Sequence, residues 1–357
     1  MTLGYGSGQG ERGRRSMEAD IETRSGRGEG GRPEQQRRLK VAYVMSRFPK
    51  LTETFVLYEM LAVEEQGVDI ELYPLLRERE PVVHHDAVAL CERAHFQPFL
   101  SGPILRSQLV FLRRSPGTYL ATLWEVLRGT WGSLNFFAGA MAIFPKVVHD
   151  ARLMVAEGVD HVHCHFSNHP AAAGFIIHRL TGLPFSFTAH GFDLHVDRRM
   201  LCAKIGEAAF VVPVSEYNRE LMVKECGDQT RRKLAVIHCG VDPRFFRPAE
   251  LAGEQDRFSI VCVGKLHEVK GQTYVIEACR LLAEAGIDLV CTLVGDGPDR
   301  EALTRQIAES GLDGRVTILG GGYFGCRTVD GNFDPAGFKD LMGLGSLVKA
   351  VWDMAPK

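Results

Sequence analysis

The sequence predicts an α/β protein with two successive parallel sheets, the second incomplete. Three observations predict it. Short apolar runs alternate with longer amphipathic stretches from Lys40 to Leu319. A polar segment around Pro248 and Glu250–Asp256 divides that alternation into two series. Glycine is uneven: residues 1–38 hold 9 and residues 320–357 hold 8, against 21 in the 281 residues between, so both ends fall outside the α/β region.

The elements follow in order. Residues 1–38 carry 8 Arg and 6 acidic residues with almost no apolar periodicity, which predicts a disordered leader, and Met17 offers an alternative start. Val41–Met45 reads as a strand, Glu53–Gln66 as a helix and Val68–Leu72 as a second strand, which together make a βαβ unit. Residues 103–156 are helical in pattern and carry Trp124, Trp131, Arg106, Arg113 and Arg114. Helices covering the sheet are the preferred reading there, and a membrane-surface helix the other. Further strands are expected near 159–164, 184–188, 209–214 and 234–238, which closes a first domain over 40–248. The second domain spans 257–319, with strands near 258–263, 288–294 and 315–319. Its clearest helix, Gln272–Ala285, aligns Val275, Cys279, Leu282 and Ala285 and opposes Glu277 to Arg280. Residues 320–357 form a glycine-rich tail without clear period.

Composition narrows the function. The formal net charge of −2 over 357 residues provides no field to gather nucleic acid. Nine scattered Cys, none in a C-x-x-C pair, read as reduced thiols of a cytoplasmic protein. The longest apolar stretch, Phe136–Phe144, has nine residues, where a membrane-spanning helix needs about 20.

Four segments carry candidate chemistry. Ser46-Arg-Phe-Pro-Lys-Leu-Thr-Glu-Thr-Phe55 follows the first strand, where open α/β sheets bind ligands. Thr52 or Thr54 is placed to cap the next helix, and Lys50 adds positive charge there. His161, His163 and His165 alternate onto one strand face, but the outer pair is nearly 7 Å apart and no carboxylate stands nearby in sequence, so no metal set is assigned. Thr188-Ala-His-Gly-Phe-Asp-Leu-His195 follows another strand and places His190 beside Gly191; a structural histidine and a ligand contact both remain open. In Val263–Gly271, Lys265 and Lys270 can converge on a diphosphate, with Gly264 and Gly271 at the turns. Gly295-Asp-Gly297-Pro298 closes the next strand, with Pro298 suited to a helix first turn.

Together with His163–Phe166, Val212–Met222, His238–Phe246 and Val294–Pro298, these segments resemble the family-4 retaining glycosyltransferases, especially those that assemble bacterial exopolysaccharides such as colanic acid. The resemblance covers 40–319. It implies the GT-B fold, two Rossmann-like domains facing a cleft, with the acceptor on the first and the nucleotide-sugar donor on the second. It implies retained anomeric configuration, no cofactor beyond the donor substrate, no metal at the chemical step, a glycan or lipid-linked glycan acceptor, and a cytoplasmic protein with peripheral association at the inner membrane face. By the same resemblance Lys265 and Lys270 hold the donor diphosphate, Gly264, Gly295 and Gly297 shape turns near it, and His190 stands beside the transferred sugar. Ser46, Lys50, Thr52, Glu53 and Thr54 form the acceptor and phosphate loop. The family pattern of two Glu eight positions apart is missing, since no Glu follows Glu309. This predicts an impaired enzyme whose last segment is a frameshift or truncation product. The alternative is a non-catalytic remnant that still binds acceptor or partner. A GT-B-like sugar-nucleotide epimerase is disfavoured for want of matching carboxylates.

Overall fold

A computed structural model describes residues 37–50, 53–78, 86–240 and 257–320. The expectations for the leader through residue 36, for Thr52, for residues 241–256 including Pro248, and for the tail from 321 lie outside the described residues.

The first sheet is parallel and five-stranded. Its strands are β1 (Lys40–Phe48), β2 (Asp69–Arg77), β3 (His161–His165), β4 (Phe185–Ala189) and β5 (Phe210–Pro213), in the order β2-β1-β3-β4-β5. Helix α1 (Thr54–Glu65) makes the crossover from β1 to β2, as the βαβ pattern predicts. After β2 the chain returns across β1 and adds strands on the other side, so the order reverses between β1 and β3. In open α/β sheets that reversal is where the loops part and ligands bind.

Alternation along β1 explains the layering. Val41, Tyr43 and Met45 face α1 and α2 (Ala87–Arg93), where Val56, Leu57, Met60 and Leu90 complete one core. Ala42 and Val44 face the opposite layer. That layer contains α3 (Gly102–Arg114), α4 (Pro116–Thr130), α5 (Leu134–Ala156) and α6 (His169–Thr181). The 103–156 stretch is thus three helices, broken where Pro116 opens α4 and at Gly132-Ser133. Ser133 accepts the Phe136 N–H at 3.4 Å. Three short helices and a 3₁₀ turn complete this half: α7 (Phe192–Val196), α8 (Leu201–Glu207), α9 (Glu216–Cys226) and Asp228–Lys233.

Two expectations need correction here. The strand near 234–238 is reduced to an isolated bridge of Leu234 to Val211. The chain runs along β5, donating from Ala235 and Ile237, but β5 ends at Pro213, which has no N–H to continue a ladder. Nor are all nine cysteines reduced thiols: Cys202 of α8 and Cys226 of α9, with Cα atoms 5.1 Å apart, form a disulfide.

The second sheet is also parallel, with β6 (Phe258–Val263), β7 (Leu289–Val294) and β8 (Val316–Leu319) in that order among the described residues. Helices α10 (Gln272–Glu284) and α11 (Arg300–Glu309) connect them. Ile276 and Cys279 are buried, Val275 and Leu282 pack beside them, and Glu277 pairs with Arg280 at 2.6 Å. Ala285 is exposed rather than on the buried face, because α10 ends one residue earlier and Gly286 turns the chain at φ +81°. Pro298 lies before α11 rather than in its first turn.

Candidate functional site

The loops at the carboxyl edge of the first sheet bring one cluster together. The outward half of β3 is polar: His161, His163 and His165 share a face with Ser186 and Thr188 of β4, while Val162 and Cys164 enter the opposite core. His161 turns to Ser186 Oγ at 2.7 Å and stacks on Phe210, so the outer pair of histidines does not close on one point. His163 is fixed at both ring nitrogens, to Ser186 Oγ at 2.8 Å and Thr188 Oγ1 at 3.0 Å. His165 is fully buried, and its Nδ1 lies 3.2 Å from His190 Nε2.

His190 sits just past β4 between the rings of Phe55 and Phe166, with centroids at 4.8 and 4.7 Å. Burial, then the neighbouring His165, depresses its pKa to about 4 against the pull of Asp193 and Glu59, so the imidazole is neutral at pH 7. Asp193 holds the surrounding backbone. Its Oδ1 accepts the N–H groups of His190 at 3.0 Å and Gly191 at 2.8 Å, and its Oδ2 accepts that of Ser167 at 2.5 Å. Gly191 has φ +122°, a conformation open to glycine and costly for other residues. Phe166 is a non-glycine residue at φ +80°, held there by its N–H bond to Thr188 O at 2.8 Å. Backbone strain of this kind concentrates at ligand sites.

The β1 loop differs in detail from expectation. β1 continues through Phe48, so Ser46 is a strand residue. Glu53 occupies the N-cap of α1 and no side chain caps it, so Thr54 is simply the first helical residue. Lys50 is not a free charge at this helix start, because its ammonium pairs with Glu53 three residues on. Lys50, Glu53 and Thr54 do line one concavity with Arg47 and Phe48.

Sequence reasoning passed over Glu59. It enters the cluster from α1, with Oε1 3.3 Å from His165 Nε2 and 3.7 Å from His163 Nε2. Burial raises its carboxyl, but the two imidazoles and the Tyr43 hydroxyl outweigh that and hold it at about 2. The only available signal was its place one turn beyond Phe55, on a helix expected to return over the sheet. Lys204 was also missed. It is wholly buried, donates to the carbonyls of Ser167 and Arg199, and is depressed to about 7 by burial.

The second candidate cluster is described on its own sheet. Lys265 follows β6, and Lys270 ends the 3₁₀ turn Glu268–Lys270 just before α10; both are exposed. Gly271 takes φ +70° at the α10 N-cap. Gln272, buried, donates to Lys265 O at 3.0 Å and fixes the loop from beneath. Gly264 is not in a glycine-only conformation. Gly295 and Gly297 do not act as free turns: a Cβ on Gly295 would stand 2.0 Å from Gly264 O, and one on Gly297 2.2 Å from Leu266 O. Their role is to let the 295–297 loop touch the loop that carries Lys265.

Comparison with known proteins completes the picture. A family model described as Glycosyltransferase Family 4 matches residues 110–245, and one described as Glycosyl transferases group 1 matches 244–323. The chain is 24% identical over 301 residues to the putative colanic acid biosynthesis glycosyltransferase of Escherichia coli K12, covering 79% of this chain and 70% of that one. It is 28% identical over 172 residues to the 2-deoxystreptamine glucosyltransferase of Streptomyces kanamyceticus, covering 42% of this chain and 44% of the relative, less than half that protein's length. Among solved structures, a glycosyltransferase from Rickettsia africae aligns over 79% of this chain and 68% of its own, with TM-score 0.52 and 15% identity. HepE of Anabaena, solved in complex with UDP-glucose, aligns over 79% and 69% with TM-score 0.53 and 16% identity. The polar carboxyl edge of one parallel sheet, the lysine-bearing loop of the next and these matches agree: the chain has the GT-B fold and is similar to the family-4 glycosyltransferases over residues 110–245 and to the group 1 glycosyl transferases over 244–323.

Proposed function

We propose that the chain transfers a sugar from a nucleotide-sugar donor to a lipid-linked glycan in polysaccharide assembly, with retention, at the cytoplasmic face of a membrane. The observation that carries this reading is the β6–α10 loop. Two exposed ammonium groups flank its turn at the carboxyl end of a parallel strand, where an open sheet receives phosphate. Lys265 and Lys270 then hold the donor diphosphate and stabilise its charge as it leaves, which is commonly the largest catalytic contribution. Neutral His190 offers a hydrogen-bonding edge to the sugar, and the acceptor is assigned to the same carboxyl edge of the first sheet, near Lys50 and Glu53. Exopolysaccharide relatives, for colanic acid in Escherichia coli and amylovoran in Erwinia amylovora, support the polysaccharide setting.

The test is calorimetric titration of UDP, GDP and their sugars, followed by turnover with lipid-linked glycan acceptors. Binding of one nucleotide series, weakened at least ~10-fold by Lys265→Ala or Lys270→Ala, is expected. Binding without turnover would favour the non-catalytic remnant, and absence of nucleotide binding would overturn the donor assignment.

A further inference from the structure

Glu59, His163 and His165 converge on the α1 side of β3, and the transfer reaction above gives none of them a task. One ligand atom from each lies within 4.8 Å of the others. The carboxylate Oε1 is the common vertex, 3.3 Å from His165 Nε2 and 3.7 Å from His163 Nε2. Zinc bonds of roughly 2.0–2.2 Å place tetrahedral neighbours about 3.3 Å apart, so the carboxylate–imidazole edges need to close by at most a few tenths of an ångström.

The surroundings prepare the same atoms. A zinc-binding imidazole is usually fixed through its other nitrogen. His163 Nδ1 meets Ser186 Oγ at 2.8 Å, and His165 Nδ1 meets His190 Nε2 at 3.2 Å. Both rings therefore present Nε2 toward Glu59. His165 Nε2 is buried, and the polar group that faces it is the Glu59 carboxylate at 3.3 Å, a contact that also helps hold Glu59 ionised. A buried ring nitrogen in poor alignment with its acceptor is available to a better partner. His163 Nε2 is met by the Thr188 hydroxyl at 3.0 Å, a group that can rotate to donate elsewhere. Glu59 is the half-exposed member, with 38% of its side chain accessible, and provides the entry path.

We propose that Glu59, His163 and His165 form a zinc site with an open fourth position. Two imidazoles and one carboxylate suit Zn²⁺ better than Mg²⁺ or Ca²⁺, which take oxygen ligands. The bound ion ties α1 to β3 at the reversal point of the sheet. It also fixes His165 with Nδ1–H donating to His190 Nε2, which leaves His190 to present Nδ1–H as a donor. Metal binding itself involves side chains of α1 and the first sheet alone; only its consequence for His190 rests on the proposed function.

The test uses untagged full-length protein stripped with chelator, titrated with ZnCl₂ against a chromophoric competitor. One equivalent binding more tightly than micromolar is expected. Glu59→Gln and His165→Gln should each weaken binding at least ~100-fold. His95→Gln is the control. It removes the histidine of the other carboxylate–histidine group, Glu71, His95 and Glu157, and should leave binding unchanged. X-ray absorption of the zinc-loaded wild type should show two imidazoles and oxygen. This readout decides the matter even if a variant fails to fold. Wild-type protein that binds no zinc, affinity unmoved by both ligand variants, or sulfur in the first coordination sphere would overturn the site.

Discussion

Asp193 shows how much one side chain can organise. Three backbone N–H groups from two loops converge on its buried carboxylate, so the position of His190 depends on a charge that never touches the imidazole's hydrogen-bonding edge. Hydrogen bonds to a charged acceptor contribute about 1.5–3 kcal/mol, and buried donors left without one cost as much again. Asp193→Ala should therefore lower the urea unfolding free energy by about 3 kcal/mol or more, and Asp193→Asn by less. A variant as stable as the wild type would show that the loops find other acceptors. The histidines give a second expectation. Burial depresses His163 to about 3 and His190 to about 4, below the unfolded value of 6.5. A depressed histidine contributes stability that is complete above pH 6.5 and is lost as pH falls toward the folded value, because the unfolded chain takes up the proton first. Unfolding followed from pH 7 to 4 should show that loss, and His163→Gln should flatten the slope.

At the scale of elements, the strands and the crossover helix were legible because alternation and length fix them locally. Seven of the nine expected strands lie within a few residues of those observed, and a further one runs longer. The second sheet's loops show where legibility stops. Gly295 and Gly297 stand out in the sequence as a turn beside the nucleotide, yet their absent side chains are required by the backbone of Gly264 and Leu266, a contact that no spacing rule reveals. The same holds for Glu59, which reaches His165 only because α1 folds back over β3, and for Lys50, whose charge is neutralised by the neighbouring Glu53. Local pattern identifies the edge on which a site forms; which groups meet there is a tertiary fact. Gly297→Ala tests the loop contact. With a Cβ 2.2 Å from Leu266 O, the loop bearing Lys265 must move, although the lysines themselves are unchanged. Weaker nucleotide binding and a lower melting temperature are expected together. Unchanged binding would mean that the two loops can separate without moving the ammonium groups.

For the whole molecule, a net charge of −2 conceals a local departure from neutrality. Arg106, Arg113, Arg114 and Arg128 are all exposed on α3 and α4, and the one acidic residue of those helices, Glu125, is paired with Arg179. Leu105, Leu109, Leu120 and Trp124 are exposed on the same two helices, Trp124 to 65%, with Trp131 and Leu134 exposed where α5 begins. The opposite sides of these helices are spent on the core, through Ile104, Tyr119 and Val126. One face of this stretch covers the sheet, as the preferred reading expects, while the other combines cations with apolar side chains, the composition on which the membrane-surface reading rests. No helix among the described residues is long and apolar enough to cross a membrane, so attachment through this region would be to a surface. Each arginine near an anionic bilayer is worth about 1 kcal/mol, so the four together contribute roughly a thousandfold in partitioning. Vesicles rich in anionic lipid should sediment the protein at low salt and release much of it at about 1 M, where the Debye length falls to about 3 Å. Arg113→Gln with Arg114→Gln should reduce partitioning about 30-fold on anionic vesicles and hardly at all on zwitterionic ones. Trp124→Ser should weaken both, because its loss removes apolar burial rather than charge. Equal partitioning of the arginine variant and the wild type, or no sedimentation at low salt, would leave these helices as a plain cover for the sheet.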